Sequence, residues 1–181
     1  EKIIFRKLNA KLIFVSNNFK FGNKREGDVS QLVGFEKKYG YKIIKPEPIK
    51  FKNKIVSSSL IRNFLEKGNL DKANKLLKRN WTIVGKVEKG RQFGKKIGFP
   101  TCNIDINNYI LAKPGVYAVK VRTKNSRSNI KGIANLGYRP TFNQHKLLLE
   151  VHLFNFTANL YNKYLSVEFI KFIRKEKKFR N

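Results

Sequence analysis

Methionine is absent from the 181 residues, even at position 1, and the chain holds one cysteine (Cys102), one tryptophan (Trp81), two histidines and five prolines. A single cysteine excludes an intramolecular disulfide and a cysteine-rich metal site, which fits a reducing, cytoplasmic setting. The two histidines, His145 and His152, stand seven apart on a turn and a strand and make a poor metal pair; His152 reads as a packed or hydrogen-bonded side chain. Starting at Glu1 without methionine, the chain is expected to be a fragment or a processed product. No apolar run approaches the roughly 20 residues of a membrane helix, and there is no signal peptide, so no membrane partner is expected. Acids are scarce as well, 12 Asp+Glu against 40 Lys+Arg, for a net charge of +28. Such a balance suggests a polyanionic partner. The cations are scattered, however, with no run of five like charges, and Lys, Asn and Ile are abundant throughout. That is the pattern of compositional drift, and nucleic acid is not the expected partner despite the charge.

Against these absences, 41% of residues are hydrophobic and 13% aromatic, with fifteen Phe. A packed core is available and a disordered chain is excluded. Residues 1–80 read as α/β. "AKLIFVS" is a short strand, followed by the loop "NNFKFGNKREGD". Asp28 caps a helix that runs to Gly40, and "YKIIKP" is a second strand. A serine among 57–59 caps a helix carrying Leu60, Ile61, Phe64 and Leu65 and stopped by Gly68. Asn69 opens another with Leu70, Ala73, Leu76 and Leu77. After Asn80 the texture changes to short alternating runs: "WTIVGKVEKG", "GVYAVKVRT", "NIKGIANLG", "KLLLEVHLFNF", "YLSVEFIKFI", with "TCNIDI" as a sixth. Strands at this spacing argue for an antiparallel sandwich or barrel. The domain boundary is therefore expected near Asn80, giving domains 1–80 and 81–181.

Two stretches carry chemistry-bearing residues. In "GRQFGKKIGFPTCN", Gly90, Gly94 and Gly98 fall four apart with Arg91, Lys95 and Lys96 among them. Glycines let a backbone bring its N–H groups toward an anion, yet this is neither a Walker A nor a Rossmann loop, and an ordinary flexible hairpin stays open. Behind Pro100, Thr101 and Asn103 lie two apart and share one face of an extended segment. Their hydroxyl and amide oxygens are hard, neutral ligands of the kind Mg²⁺ shares with phosphate and water; bonds to neighbouring backbone are the alternative. In "LLLEVHLFNF", Leu147, Leu149, Val151 and Leu153 form the core face, with Glu150 and His152 on the other. A carboxylate there suits proton removal from a hydroxyl during ATP-dependent phosphorylation of an alcohol, with a salt bridge to one of the many cations equally open.

The ordered set "GKVEKGRQFGKKIGFPTCNI", "PGVYAVKV", "GIANLGYRPTF", "LEVHLFNF" and "LYNKYLSVEFIKFIRKEKKF" resembles the kinase module of the bacterial bifunctional riboflavin kinase/FAD synthetase family. "NNFKFGNKREGD" and "VSSSLIRNFLEKGNLDKANKLL" resemble the latter part of its adenylyltransferase domain, so the likeness covers essentially the whole chain. It implies a partial, Rossmann-like nucleotidyltransferase segment followed by a six-stranded antiparallel Greek-key β-barrel. It implies phosphorylation of riboflavin to FMN, with ATP as co-substrate, Mg²⁺ as cofactor and small molecules as the partners. By the resemblance Glu150 is the base. Gly90, Lys95, Gly98, Thr101 and Asn103 bind ATP, Thr101 and Asn103 also holding Mg²⁺. Tyr161, Arg174 and Phe179 contact the flavin, and residues 135–142 form a second loop over the substrates. Asn18, Phe19, Ser58, Ser59 and Arg62 mark the adenylyltransferase part. The family's His-x-Gly-His motif does not occur, so adenylylation of FMN by this chain alone is not expected. Cys102 replaces the usual alanine. The family continues beyond the position of Asn181 into a helix that frames the flavin, so weak flavin binding is expected. A basic nucleic-acid-binding barrel and a non-catalytic flavin-binding remnant are the alternative readings.

Overall fold

The computed structural model describes residues 2–90, 94, 98–106, 109–110, 112–123, 128–141 and 144–177. The chain forms two compact units, Glu1–Val56 and Ser57–Asn181.

In the first unit a π-helical stretch, Lys2–Lys7, precedes β1 (Leu12–Phe14), β2 (Lys20–Phe21), β3 (Gly27–Asp28), α1 (Val29–Gly34), α2 (Glu36–Tyr39), β4 (Lys42–Ile44), β5 (Lys50–Phe51) and β6 (Lys54–Ile55). Strands β1 and β4 pair in parallel with the helices between them in sequence, and β2–β3 and β5–β6 are small antiparallel pairs. Val15, Val29, Leu32, Tyr41 and Ile43 make its core. The Asp28 carboxylate accepts the Gln31 N–H at 3.0 Å, as expected of a cap. That hydrogen bond holds its pKa below the ordinary carboxylate value. The single helix expected from Asp28 to Gly40 is two short ones. Gly34 ends the first, as a residue of low helical preference should, and Phe35 at ψ −2° separates them.

The second unit opens with α3 (Ser58–Glu66), capped by Ser57 Oγ, and α4 (Leu70–Leu77), capped by Asn69 Oδ1. The strands follow: β7 (Thr82–Glu88), β8 (Cys102–Asp105), β9 (Gly115–Thr123), β10 (Ile130–Thr141), β11 (Gln144–Leu153) and β12 (Tyr164–Arg174). They close into one antiparallel barrel in the order β10-β11-β8-β7-β12-β9. The meander β9-β10-β11 with β12 returning to lie beside β9 is a Greek-key order. Alternate residues of each strand fill the interior, among them Ile83, Ile104, Leu149, Val167 and Phe169. Phe169 lies tilted against Trp81 at 4.5 Å and edge-on to Tyr117 at 5.1 Å. Burial pushes the Tyr117 hydroxyl up to about 12, while it donates to the Lys113 carbonyl.

The helices belong to this core. Leu65, Leu70 and Ala73 are buried in the same cluster as the barrel residues. The Asn74 side chain ties α4 to two strands, accepting the Trp81 N–H at 2.7 Å and donating to the Phe169 carbonyl at 3.0 Å. These two helices share the barrel's core, and the strands begin after Asn80. A correction concerns 135–142, expected as a covering loop. β10 runs to Thr141 and remains paired with β11 as far as Thr141↔Gln144. Gly137 and Pro140 read as loop residues, but the first admits a neighbouring side chain and the second sits near the hairpin end.

Candidate active site

Strand register assembles a row of outward-facing residues. Glu88 of β7 pairs with Asn103 of β8, Asn103 with Glu150 of β11, and Glu150 with Asn135 of β10. The row continues through Val116 of β9 to Arg174 of β12. The preceding and following residues, Ile104, Leu149 and Leu136, are wholly buried inside the barrel. Period-two alternation therefore turns Asn103, Glu150 and Asn135 outward, on strands about 4.8 Å apart.

Although it faces outward, Asn103 is only 7% exposed. The cover is Gly90: a Cβ there would lie 1.9 Å from Asn103 Nδ2, so only a glycine lets the chain pass over this amide. The segment then folds back on itself. The Phe99 N–H donates to the Gly94 carbonyl at 2.8 Å. A Cβ at Gly94 would be 3.5 Å from Thr101 Oγ1, and Gly98 has φ +84°. Arg91, Lys95 and Lys96 lie outside the described residues, as does Phe179.

The Asn103 Oδ1 is buried with no hydrogen-bond partner. A buried carbonyl oxygen is rarely left so. It is a hard, neutral donor atom on the residue paired in register with Glu150, and an unpartnered oxygen of this kind fits a cation with a preference for oxygen. Among the described residues no cluster of three His, Cys, Asp or Glu could hold a metal, so such an ion would rely on neutral oxygens and on its substrate. Glu150 is half-buried and has no ion-pair partner among the described residues. The salt-bridge alternative therefore finds no support there.

His152, two residues along β11 from Glu150, places Nδ1 2.8 Å from the Pro100 carbonyl oxygen. A carbonyl only accepts, so the proton sits on Nδ1. The ring is edge-on to Phe99 and Phe154 at 5.6 and 5.7 Å. It pins the chain one residue before Thr101 to the strand that carries Glu150.

Thr101 also borders a cavity of about 400 Å³ walled by Val87, Pro100, Cys102, Leu153, Phe156 and Tyr161. The Cys102 thiol, pushed up to about 11 by burial, stays protonated at neutral pH. Tyr161 is thus brought to Thr101, while Arg174 is exposed at the far end of the row, donating to the Lys175 carbonyl at 3.0 Å. Of the adenylyltransferase set, Asn18 and Phe19 lie in the turn before β2, Phe19 stacking on Phe21. Ser58, Ser59 and Arg62 lie on α3, where Arg62 Nη2 donates to Ser59 Oγ at 3.3 Å. The two groups fall in different compact units.

Sequence reasoning did not single out the pairing of Asn135 with Glu176. Asn135 Nδ2 donates to Glu176 Oε1 at 2.9 Å, and Asn135 Oδ1 is buried without a partner. The available signal was the scarcity of acids, which makes a glutamate inside "RKEKKF" conspicuous.

A family model described as riboflavin kinase matches residues 77–181, and one described as FAD synthetase matches residues 1–60. The bifunctional riboflavin kinase/FMN adenylyltransferase of Buchnera aphidicola subsp. Schizaphis graminum is 40% identical, over 97% of this chain and 57% of its own length. That of Haemophilus influenzae is 39% identical, over 99% and 58%. That of Escherichia coli K12 is 34% identical, over 98% and 56%. The chain therefore spans somewhat more than half the length of these relatives. A solved structure from Streptococcus pneumoniae, described as a macrolide-efflux protein, superposes with a TM-score of 0.77 at 27% identity, covering 97% of this chain and 56% of that one. Among the described residues no helix is long and apolar enough to cross a membrane.

Proposed function

The chain belongs to the riboflavin kinase family, and on that premise we propose that the outward row transfers the γ-phosphoryl group of ATP to the ribityl 5′-hydroxyl of riboflavin, giving FMN. The carrying observation is that Glu150 stands directly opposite Asn103, whose carboxamide oxygen is buried and unpaired. Glu150 takes the proton of the attacking hydroxyl. Asn103 Oδ1 and Thr101 Oγ1 are the oxygens that would hold Mg²⁺, which would supply charge neutralisation to the transferring phosphate. Gly90 and Gly98 shape the loop against the phosphates, and Lys95 belongs to the same loop. Apolar walls and Thr101 at its border suit the cavity to the adenine side of the nucleotide. Tyr161, expected beside the flavin, goes with it, whereas Arg174 and Phe179 stay with the flavin. Residues 1–80, with Asn18, Phe19, Ser58, Ser59 and Arg62, are assigned to the latter part of an adenylyltransferase domain, supported by the FAD synthetase match over 1–60. A lone, half-buried cysteine fits a cytoplasmic enzyme.

The test is incubation with riboflavin, ATP and MgCl₂, followed by chromatography. FMN appears, and chelation with EDTA stops it; absence of FMN from a folded chain rejects the reading. His152 offers a subtler check. Replacing it with Phe keeps the aromatic contacts and removes the hydrogen bond to Pro100. The KM for ATP is expected to rise about fivefold, the worth of one hydrogen bond of about 1 kcal/mol. His152→Asn, which retains an N–H donor, recovers most of that loss. Equal kinetics for both variants would separate His152 from loop positioning.

A further inference from the structure

We propose that Asn135 contacts the phosphoryl acceptor, its carboxamide oxygen accepting a hydrogen bond from a hydroxyl of the acceptor's polyol chain, and that Glu176 is the positioning residue that aims it. The proposal rests on the reading of Glu150 as the base.

Three observations converge. Asn135 is the register partner of Glu150 on the side away from Asn103, so the base stands between two carboxamides. Asn135 Oδ1 is buried and meets no donor, which calls for one from a ligand. Its orientation is fixed: Nδ2 donates to Glu176 Oε1 at 2.9 Å, and because a carboxylate only accepts, the oxygen must point the other way. That carboxylate lies against Gly137 of β10. A Cβ on Gly137, two residues along the same face, would lie 2.2 Å from Glu176 Oε1.

The class of ligand follows from spacing. Asn103 and Asn135 lie on the two strands that flank β11, about 10 Å apart. A single Mg²⁺, with bonds of about 2.0–2.1 Å, does not serve both oxygens. With the cation and phosphate on the Asn103 side, the position beyond Glu150 falls to the group being phosphorylated. Close to the reacting hydroxyl, a polyol's neighbouring hydroxyls are neutral donors of matching chemistry. Phosphoryl donor, base and acceptor thus take the same order across the sheet as Asn103, Glu150 and Asn135.

The experiment compares the unaltered full chain with Asn135→Ala, Asn135→Ser, Glu176→Ala, Glu176→Gln and the double alanine variant. Binding of riboflavin and of lumiflavin, which has the ring system without the polyol, is followed by flavin fluorescence, alongside steady-state kinetics. Asn135→Ala is expected to weaken riboflavin binding about 5- to 10-fold, the worth of one buried hydrogen bond, with lumiflavin binding and the KM for ATP unchanged. Glu176→Ala moves riboflavin binding the same way and adds nothing in the Asn135→Ala background, and Glu176→Gln, which keeps an acceptor, restores it. Equal losses for riboflavin and lumiflavin, a shift in the Mg²⁺ or ATP dependence instead, or additive effects of the two alanines would overturn the assignment. Should Asn135→Ala fail to fold by circular dichroism, Asn135→Ser and Glu176→Gln carry the comparison. A chain that binds riboflavin but makes no FMN rejects the kinase reading, and the two flavins still decide on Asn135.

Discussion

Glu150→Gln is expected to lower kcat for FMN formation about 10²- to 10⁴-fold, the range of a general base. Glutamine keeps the volume and the hydrogen-bonding reach of the side chain but does not take a proton from the attacking hydroxyl. Because Glu150 is half-buried and makes no ion pair with any described residue, the change removes charge without orphaning a partner. Thermal stability should stay within about 0.5 kcal/mol of the parent. The two KM values should move little, since neither substrate is held by the proton-accepting oxygen alone. Steady-state kinetics with a melting curve beside them reads both quantities. A kcat within twofold of the parent would remove Glu150 from the reaction.

Asn103→Leu should separate activity from stability. The asparagine leaves a buried oxygen unsatisfied, which carries a penalty of about 1–3 kcal/mol. Leucine has similar volume, no polar atom to strand, and lies among Ile104, Gly90 and the barrel wall. The variant is expected to be about 1 kcal/mol more stable, or at least no less stable, in denaturant titration. Activity should nevertheless fall at least 100-fold, and Mg²⁺-dependent protection of the fold by ATP should disappear. Loss of both stability and activity would mean that Asn103 serves packing and not the reaction. A residue that weakens the fold while carrying the function is one that selection holds for chemistry.

The barrel was legible because most of its strands alternate. "GVYAVKVRT" buries every second residue, "YLSVEFIKFI" does so as far as Phe169, where a bulge follows, and the short "TCNIDI" run supplies β8 where it was expected. The strand positions of Asn103 and Glu150 were likewise legible from spacing. What local pattern does not contain is which core an amphipathic face joins. Leu65, Leu70 and Ala73 read the same whether they pack forward or backward, and they pack under the barrel. Nor does it contain register. That Asn103 faces Glu150 across β8 and β11, and that Glu176 returns to Asn135 from 41 positions away, are products of barrel closure. The early end assigned to β10 has the same origin, since Gly137 lies inside the β10–β11 ladder, beside Glu176, and does not turn the chain.

The burial of Trp81 against Phe169 makes the chain a two-channel optical system. The only indole of the sequence sits within Ser57–Asn181. Its emission therefore follows the melting of the barrel and its two helices, while Glu1–Val56 is silent in that channel. Far-ultraviolet dichroism sums both units. Titrating denaturant while recording the two signals together thus yields a separate unfolding midpoint for each half of the molecule, without any label and without cutting the chain.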